Sequence, residues 1–286
     1  MSTAGADLDR DYSPSSLVPD LGAHLTRYAA DSARARTTLR VHRDLPCGPL
    51  PEQRLDLFPA AAPGAPLMVF VHGGYWQELS RAEAAFAAAD FVAAGVSFAA
   101  LGYGLAPRHR MRAITAMAAD SVRRICAGRS GLPGAPASVH LSGHSAGAHL
   151  VASALLDTAG WRAAGLDPAA EIASATLISG VYDLEPLTRT YVNDALGMDA
   201  REARDVSPQR RLPAGAGALP PLVLARGVRE TAAFAGQQEA FARAARAGGA
   251  DVDELVVPGR HHFDLPFDLG APATALGAAV ARRLRG

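Results

Sequence analysis

The residues Gly143-His144-Ser145-Ala146-Gly147 fit G-x-S-x-G. In this pattern a serine sits on a sharp turn between a strand and a helix, with its hydroxyl projecting from the sheet edge as a nucleophile. The flanking glycines allow the close backbone approach that such a turn needs. VHLS before the motif reads as a buried strand and AGAHLVASALL after it as a helix. The helix starting at Ala146 aims its N-terminal N–H groups at the place where an oxyanion would develop. An idle serine on a glycine-rich turn is the bland alternative, and the strand–turn–helix setting weighs against it.

Acyl transfer at a serine needs two or more N–H donors for the tetrahedral oxyanion. His72-Gly73-Gly74-Tyr75-Trp76 follows the apolar run LMVFV directly. An HGG-type loop of this kind supplies one donor and the residue after the nucleophile another. The expected donors are the N–H groups of Gly74, Tyr75 and Ala146, with Gly73 as a further candidate. The general base must follow the last strand, where His261 and His262 stand just after ELVVP. Only one of the pair can face Ser145, and the other is expected to face solvent. A metal reading of His261, His262 and Asp264 needs further ligands at a clear spacing, and the chain offers none. The acid is expected after the strand Leu222 to Ala225, where Glu230 is the first carboxylate. Asp183, after the preceding strand, competes with it, and strand order favours Glu230. Glu239 falls inside the following helix and suits the surface.

Tyr75, Trp76, Tyr103 and Tyr182 fall at C-terminal strand ends, where open α/β sheets bind ligands. Trp76 is the first choice for an aromatic wall. Tyr103 and Tyr182 fit substrate binding and core packing equally well. His72 and His144, beside the loop and the nucleophile, complete the expected substrate-binding set. His149, four residues after Ser145, suits a packed structural role.

The elements that must carry these residues alternate along the chain. Strands are expected over Arg54–Phe58, Leu67–Val71, Val96–Leu101, Ser138–Ser142, Ala175–Ser179, Leu222–Ala225 and Glu254–Val257. Continuous apolar runs such as LMVFV mark strands buried on both faces. Helices are expected over Leu21–Ala33, Ser80–Ala94, Met111–Ala127, Ala146–Asp157, Gln237–Ala247 and Ala271–Arg285. The alternation implies an α/β fold, a mostly parallel sheet with helices on both faces. The 286 residues fit one domain. Residues 1–50 have little strand signal and read as an arm with one helix. The Pro-, Gly- and charge-rich stretch 183–220 reads as a cap or lid over the C-terminal sheet edge.

Composition excludes several chemistries. The 28 basic residues balance 28 acidic ones, and no basic stripe suggests nucleic acid. Every basic residue is arginine, so Schiff-base formation, pyridoxal phosphate anchoring and a P-loop lysine are excluded. Cys47 and Cys126 cannot build a disulfide framework. The polar N-terminus lacks the basic start and apolar run of a signal peptide, and no apolar stretch is long enough to span a membrane. A cytoplasmic location is expected, with a small-molecule substrate and neither nucleic acid nor membrane as partner. A homodimer is the assembly to consider.

The HGGYWQ loop, the GHSAGAHL elbow, the SGVYDLEPL strand end and the HHFD loop together resemble the α/β-hydrolase kynurenine formamidases (arylformamidases) and their bacterial relatives. The YSPS start at Tyr12–Ser15 and the SPQ of Ser207–Gln209 are similar too, so the resemblance spans nearly the whole chain. It implies an α/β-hydrolase fold, no metal or organic cofactor, and N-formylkynurenine as substrate. The family histidine precedes a phenylalanine, which selects His262. The family acid, usually aspartate, falls on Glu230, a departure from the pattern. A carboxylesterase of small acyl esters uses the same machinery, and a non-catalytic binding protein of this fold is the third reading.

Overall fold

The computed structural model describes residues 3–212 and 219–285. Eight strands form one sheet among these residues, in the order β1-β2-β4-β3-β5-β6-β7-β8. They are β1 (His42–Pro46), β2 (Arg54–Phe58), β3 (Leu67–Val71), β4 (Ser97–Leu101), β5 (Val139–His144), β6 (Ile172–Ile178), β7 (Leu222–Arg229) and β8 (Val252–His261). β1 and β2 run antiparallel at one edge, and every pairing from β4 to β8 is parallel. The helices are α1 (Thr3–Asp11), α2 (Leu21–Thr38), α3 (Ala88–Ala93), α4 (Met111–Gly128), α5 (Ala146–Leu155), α6 (Thr158–Ala163), α7 (Pro168–Glu171), α8 (Asn193–Leu196), α9 (Ala200–Asp205), α10 (Ala232–Ala247) and α11 (Ala275–Leu284). None among the described residues is long and apolar enough to cross a membrane.

The period of two along each strand divides the core into two layers. Leu67, Val69 and Val71 of β3 join the face covered by α4, α5 and α10. Met68 and Phe70 join the face covered by α3 and α11. A strand between two such layers is apolar at every position, as LMVFV is. The register sets the C-terminal strand ends side by side. Val71 pairs with Gly143, His144 with Ile178, and Ile178 with Ala225. Whatever follows these residues emerges at one edge of the sheet.

The N-terminal fifty residues hold more structure than one helix. α1 precedes α2, and β1 pairs with β2. The expected helix Ser80–Ala94 is broken. Ser80 caps a short 3-10 turn, accepting from the Ala82 N–H while its own N–H donates to Glu83. The Ala85 N–H then turns to Ser32 of α2 instead of a helical carbonyl, and α3 begins only at Ala88. The segment after Asp183 consists of short turns and helices, with Leu187, Val192, Leu196 and Val206 buried. Its residues 213–218 lie outside the described residues.

Candidate active site

Ser145 is the residue between β5 and α5. Its φ of 55° and ψ of −117° turn the chain sharply, a conformation costly for any residue bearing a Cβ. Its N–H donates to the Ile178 carbonyl at 2.8 Å, which ties the turn to the end of β6. Gly147 is dictated by the packing of α5 on β3, because a Cβ there would stand 2.0 Å from the Val71 carbonyl oxygen.

The loop after β3 holds three successive residues at positive φ, Gly74 (99°), Tyr75 (47°) and Trp76 (59°). The Gly74 carbonyl accepts the N–H groups of Gln77 and Glu78, each at 2.9 Å. A Cβ on Gly74 would collide with the Glu78 carbonyl at 2.3 Å, and one on Gly73 would crowd the Ser145 Cβ at 3.2 Å. The loop is thus pressed against the turn at Ser145. Gly74, Tyr75 and Ser145 line one cavity, the proximity that backbone donors to an oxyanion would require.

Glu230 and His262 form a buried pair, with His262 Nδ1 3.1 Å from Glu230 Oε2. The other carboxylate oxygen accepts from Ser179 Oγ and from the Gly227 N–H, both at 2.7 Å. The Glu230 side chain is wholly inaccessible. Burial alone would raise its pKa, but the contacts with His262, Ser179 and Gly227 outweigh it and hold the carboxyl below the usual range. Asp183 is elsewhere, paired with Arg210.

Ser145, His262 and His144 line one cavity of about 240 Å³, with Gly74 and Tyr75 beside them. The structure closes the Glu230–His262 contact, while Ser145 and His262 meet as neighbouring walls of this cavity. Catalytic hydrogen bonds often tighten only when substrate is bound. His144 Nε2–H donates to the His262 carbonyl at 2.8 Å. Burial, and then the neighbouring His262, keep its pKa well below the ordinary histidine value.

Other expected residues are placed differently. Trp76 is fully buried behind the loop, edge-on to His149, and is absent from the cavity wall. His72 and Tyr103 stack on each other at 4.2 Å in the core, and the Tyr103 hydroxyl donates to the His72 carbonyl. Tyr182 stacks on Phe241. These rings follow the strand ends but turn inward. His261 is also buried, paired with Asp264 and edge-on to His24, where a solvent-facing ring was expected.

The cavity instead takes its apolar wall from α2, from the segment after Asp183 and from the phenylalanine of the HHFD loop. Leu21, Leu25 and Tyr28 come from α2, Tyr191 and Val192 from the segment after Asp183, and Phe263 from the histidine loop. The YSPS start, the HHFD loop and the expected cap over 183–220 are advance signals, and Pro14 and Ser15 of the first also line the cavity. The arm is fastened at the site: Tyr75 Oη donates to the Tyr12 carbonyl at 2.5 Å, and Tyr28 Oη to the Phe263 carbonyl at 2.6 Å.

The profile of the alpha/beta hydrolase fold family matches residues 68–264. The Danio rerio kynurenine formamidase is 32% identical over 91% of this chain and 89% of its own length. The chain belongs to the kynurenine formamidase family of α/β-hydrolases. The Salmo salar kynurenine formamidase is 34% identical over 72% of this chain and 70% of its own. An Arabidopsis thaliana isoprenylcysteine alpha-carbonyl methylesterase is 28% identical over 79% of this chain and 57% of its own. A Silicibacter sp. structure, described provisionally as a thioesterase, superposes with a TM-score of 0.80 at 29% identity, covering 96% of this chain and 99% of that one. A thermophilic carboxylesterase cloned from a metagenomic library superposes with a TM-score of 0.72 at 18% identity, covering 100% and 99%. Within the family setting the chain is a hydrolase, of formamidase or esterase type.

Proposed function

We propose that this protein cleaves the formamide of N-formylated arylamines, N-formyl-L-kynurenine foremost, giving L-kynurenine and formate. The observation that carries the reading is the buried Glu230–His262 pair opening on the cavity that Ser145 lines. Ser145 Oγ attacks the formyl carbon while His262 Nε2 takes its proton. Glu230 orients the ring through Nδ1 and stabilises the imidazolium. The oxyanion rests on the N–H groups of Gly74, Tyr75 and Ala146, with Gly73 adjoining. The C–N bond breaks, His262 returns the proton to the departing arylamine, and a formyl ester remains on Ser145. Water, deprotonated by His262, then releases formate and restores the hydroxyl. No metal or organic cofactor enters these steps.

The two fish formamidases at 32% and 34% identity support a formamide over an ester. The apolar walls from α2 and Phe263 suit an aryl leaving group. Carboxylester hydrolysis is the second reading, favoured by the plant methylesterase relative. The test is turnover of N-formylkynurenine beside p-nitrophenyl acetate and butyrate, by wild type and Ser145→Ala. Formamide cleavage with high kcat/KM, lost in the variant, is expected. Fast ester turnover with no formamide cleavage overturns the formamidase reading, and silence on all three removes the hydrolytic one.

A further inference from the structure

We infer that Ser179 is a positioning residue for this hydrolysis, holding the acid Glu230 in the orientation that His262 needs. The inference rests on the Ser145–His262–Glu230 reading proposed above. Ser179 directly follows β6, is 2% exposed, and has a φ of 50°. This left-handed conformation costs a side-chain-bearing residue about 1 kcal/mol or more. The surroundings hold it there from several sides. The Ser179 N–H donates to the Ala225 carbonyl at 2.7 Å, and the carbonyl of Ile178, one residue earlier, receives the Ser145 N–H. From that fixed backbone Ser179 Oγ donates to Glu230 Oε1 at 2.7 Å. One two-residue step thus fastens the nucleophile turn through its backbone and the acid through its side chain.

Chemistry explains why the acid needs this contact. A glutamate has one more rotatable bond than an aspartate, and each free torsion blurs where its oxygens lie. Oε1 is held from two directions, by Ser179 Oγ and the Gly227 N–H. Oε2 is thereby left for His262 Nδ1. With the serine hydroxyl removed, the inaccessible carboxylate keeps one backbone donor on that oxygen and can rotate about it. Hydrogen bonds to a charged group are strong enough for this loss to register in the rate.

The test compares Ser179→Ala and Ser179→Gly. Both delete the hydroxyl, but only glycine relieves the positive φ, so the pair separates the hydroxyl from backbone strain. We expect kcat to fall about tenfold or more in both variants with KM unchanged. The downfield proton resonance of His262 Nδ1–H should move. In a Glu230→Gln background the Ser179→Gly change should cost nothing further, because the group it acts through is already gone. Wild-type kcat and an unmoved resonance in Ser179→Gly overturn the inference. So does a loss that persists in full in the Glu230→Gln background. Ser145→Ala is run alongside: its retention of activity would sink the triad reading itself, whereas loss in Ser145→Ala with a silent Ser179→Gly sinks only the role of Ser179.

Discussion

At the scale of single residues, the side chains that carry charge and nucleophilicity are set apart from those that merely stand nearby. Glu230 meets three donors, two on Oε1 and one on Oε2, which suits a carboxylate that stays ionised while buried. The G-x-S-x-G turn, the HGG loop and the histidine pair could be found in the sequence because their chemistry demands fixed types at fixed spacing. The part of the cavity wall that α2 supplies could not. A strand-end position says which edge of the sheet a residue reaches, but not which way its ring turns. Trp76 shows the difference, since it lies in the loop after β3 yet packs against His149 in the core. Replacing it with phenylalanine should lower stability by about 1–2 kcal/mol and leave KM for N-formylkynurenine unchanged. Denaturant unfolding with steady-state kinetics checks this, and a raised KM at unaltered stability would return Trp76 to the substrate wall.

At the scale of elements, the strands read most accurately were those with the simplest environment. β2 and β3 match their expected limits, because a run such as LMVFV flanked by proline and glycine has one reading. β1 escaped notice, since HRDLP is short, polar and half exposed at the sheet edge. The role of α2 escaped for another reason: its contacts are long-range. Tyr28 meets Phe263 across 235 residues of sequence, and no local pattern encodes such a pairing. α2 thereby braces the loop that carries His262, with Tyr28 also stacked on Phe267 and Arg27 placed over that ring. Tyr28→Phe should leave the Phe263 carbonyl short of a donor, cost about 1 kcal/mol of stability, and reduce kcat several-fold. Thermal melts beside initial rates would show it, and unchanged kcat would mean that α2 covers the cavity without bracing the histidine loop.

At the scale of the whole molecule, the fold keeps several histidines buried and neutral. Burial lowers His72 and His140 to about 4 and His149 to about 3, and holds His144 well down. In the unfolded chain each would titrate near 6.5. Between that value and about 4 the unfolded state therefore binds more protons, and stability falls as pH drops. Each ring contributes about 1.4 kcal/mol per pH unit while it differs between the states. The lowered Glu230 acts the same way further down, its contribution being present above the unfolded carboxylate value and lost beneath it. Melting temperature should hold near neutral pH and fall steeply from about pH 6.5 downward. A flat profile between pH 7 and pH 5 in calorimetry would show that these rings are not buried in solution. This behaviour belongs to the sheet as a whole, whose register brings the ends of β3, β5, β6 and β7 to one edge around the cavity.

In the proposed reaction Ser145 carries the acyl group during turnover. This role is tested most directly by acid-quenching the enzyme during hydrolysis of N-formylkynurenine and weighing the peptide that contains Ser145. A mass increase of one formyl group on Ser145 is expected in the wild type, absent in Ser145→Ala and strongly reduced in His262→Ala, because His262 serves acylation as well as deacylation. Unmodified peptide in the wild type, with turnover retained in Ser145→Ala, would contradict it.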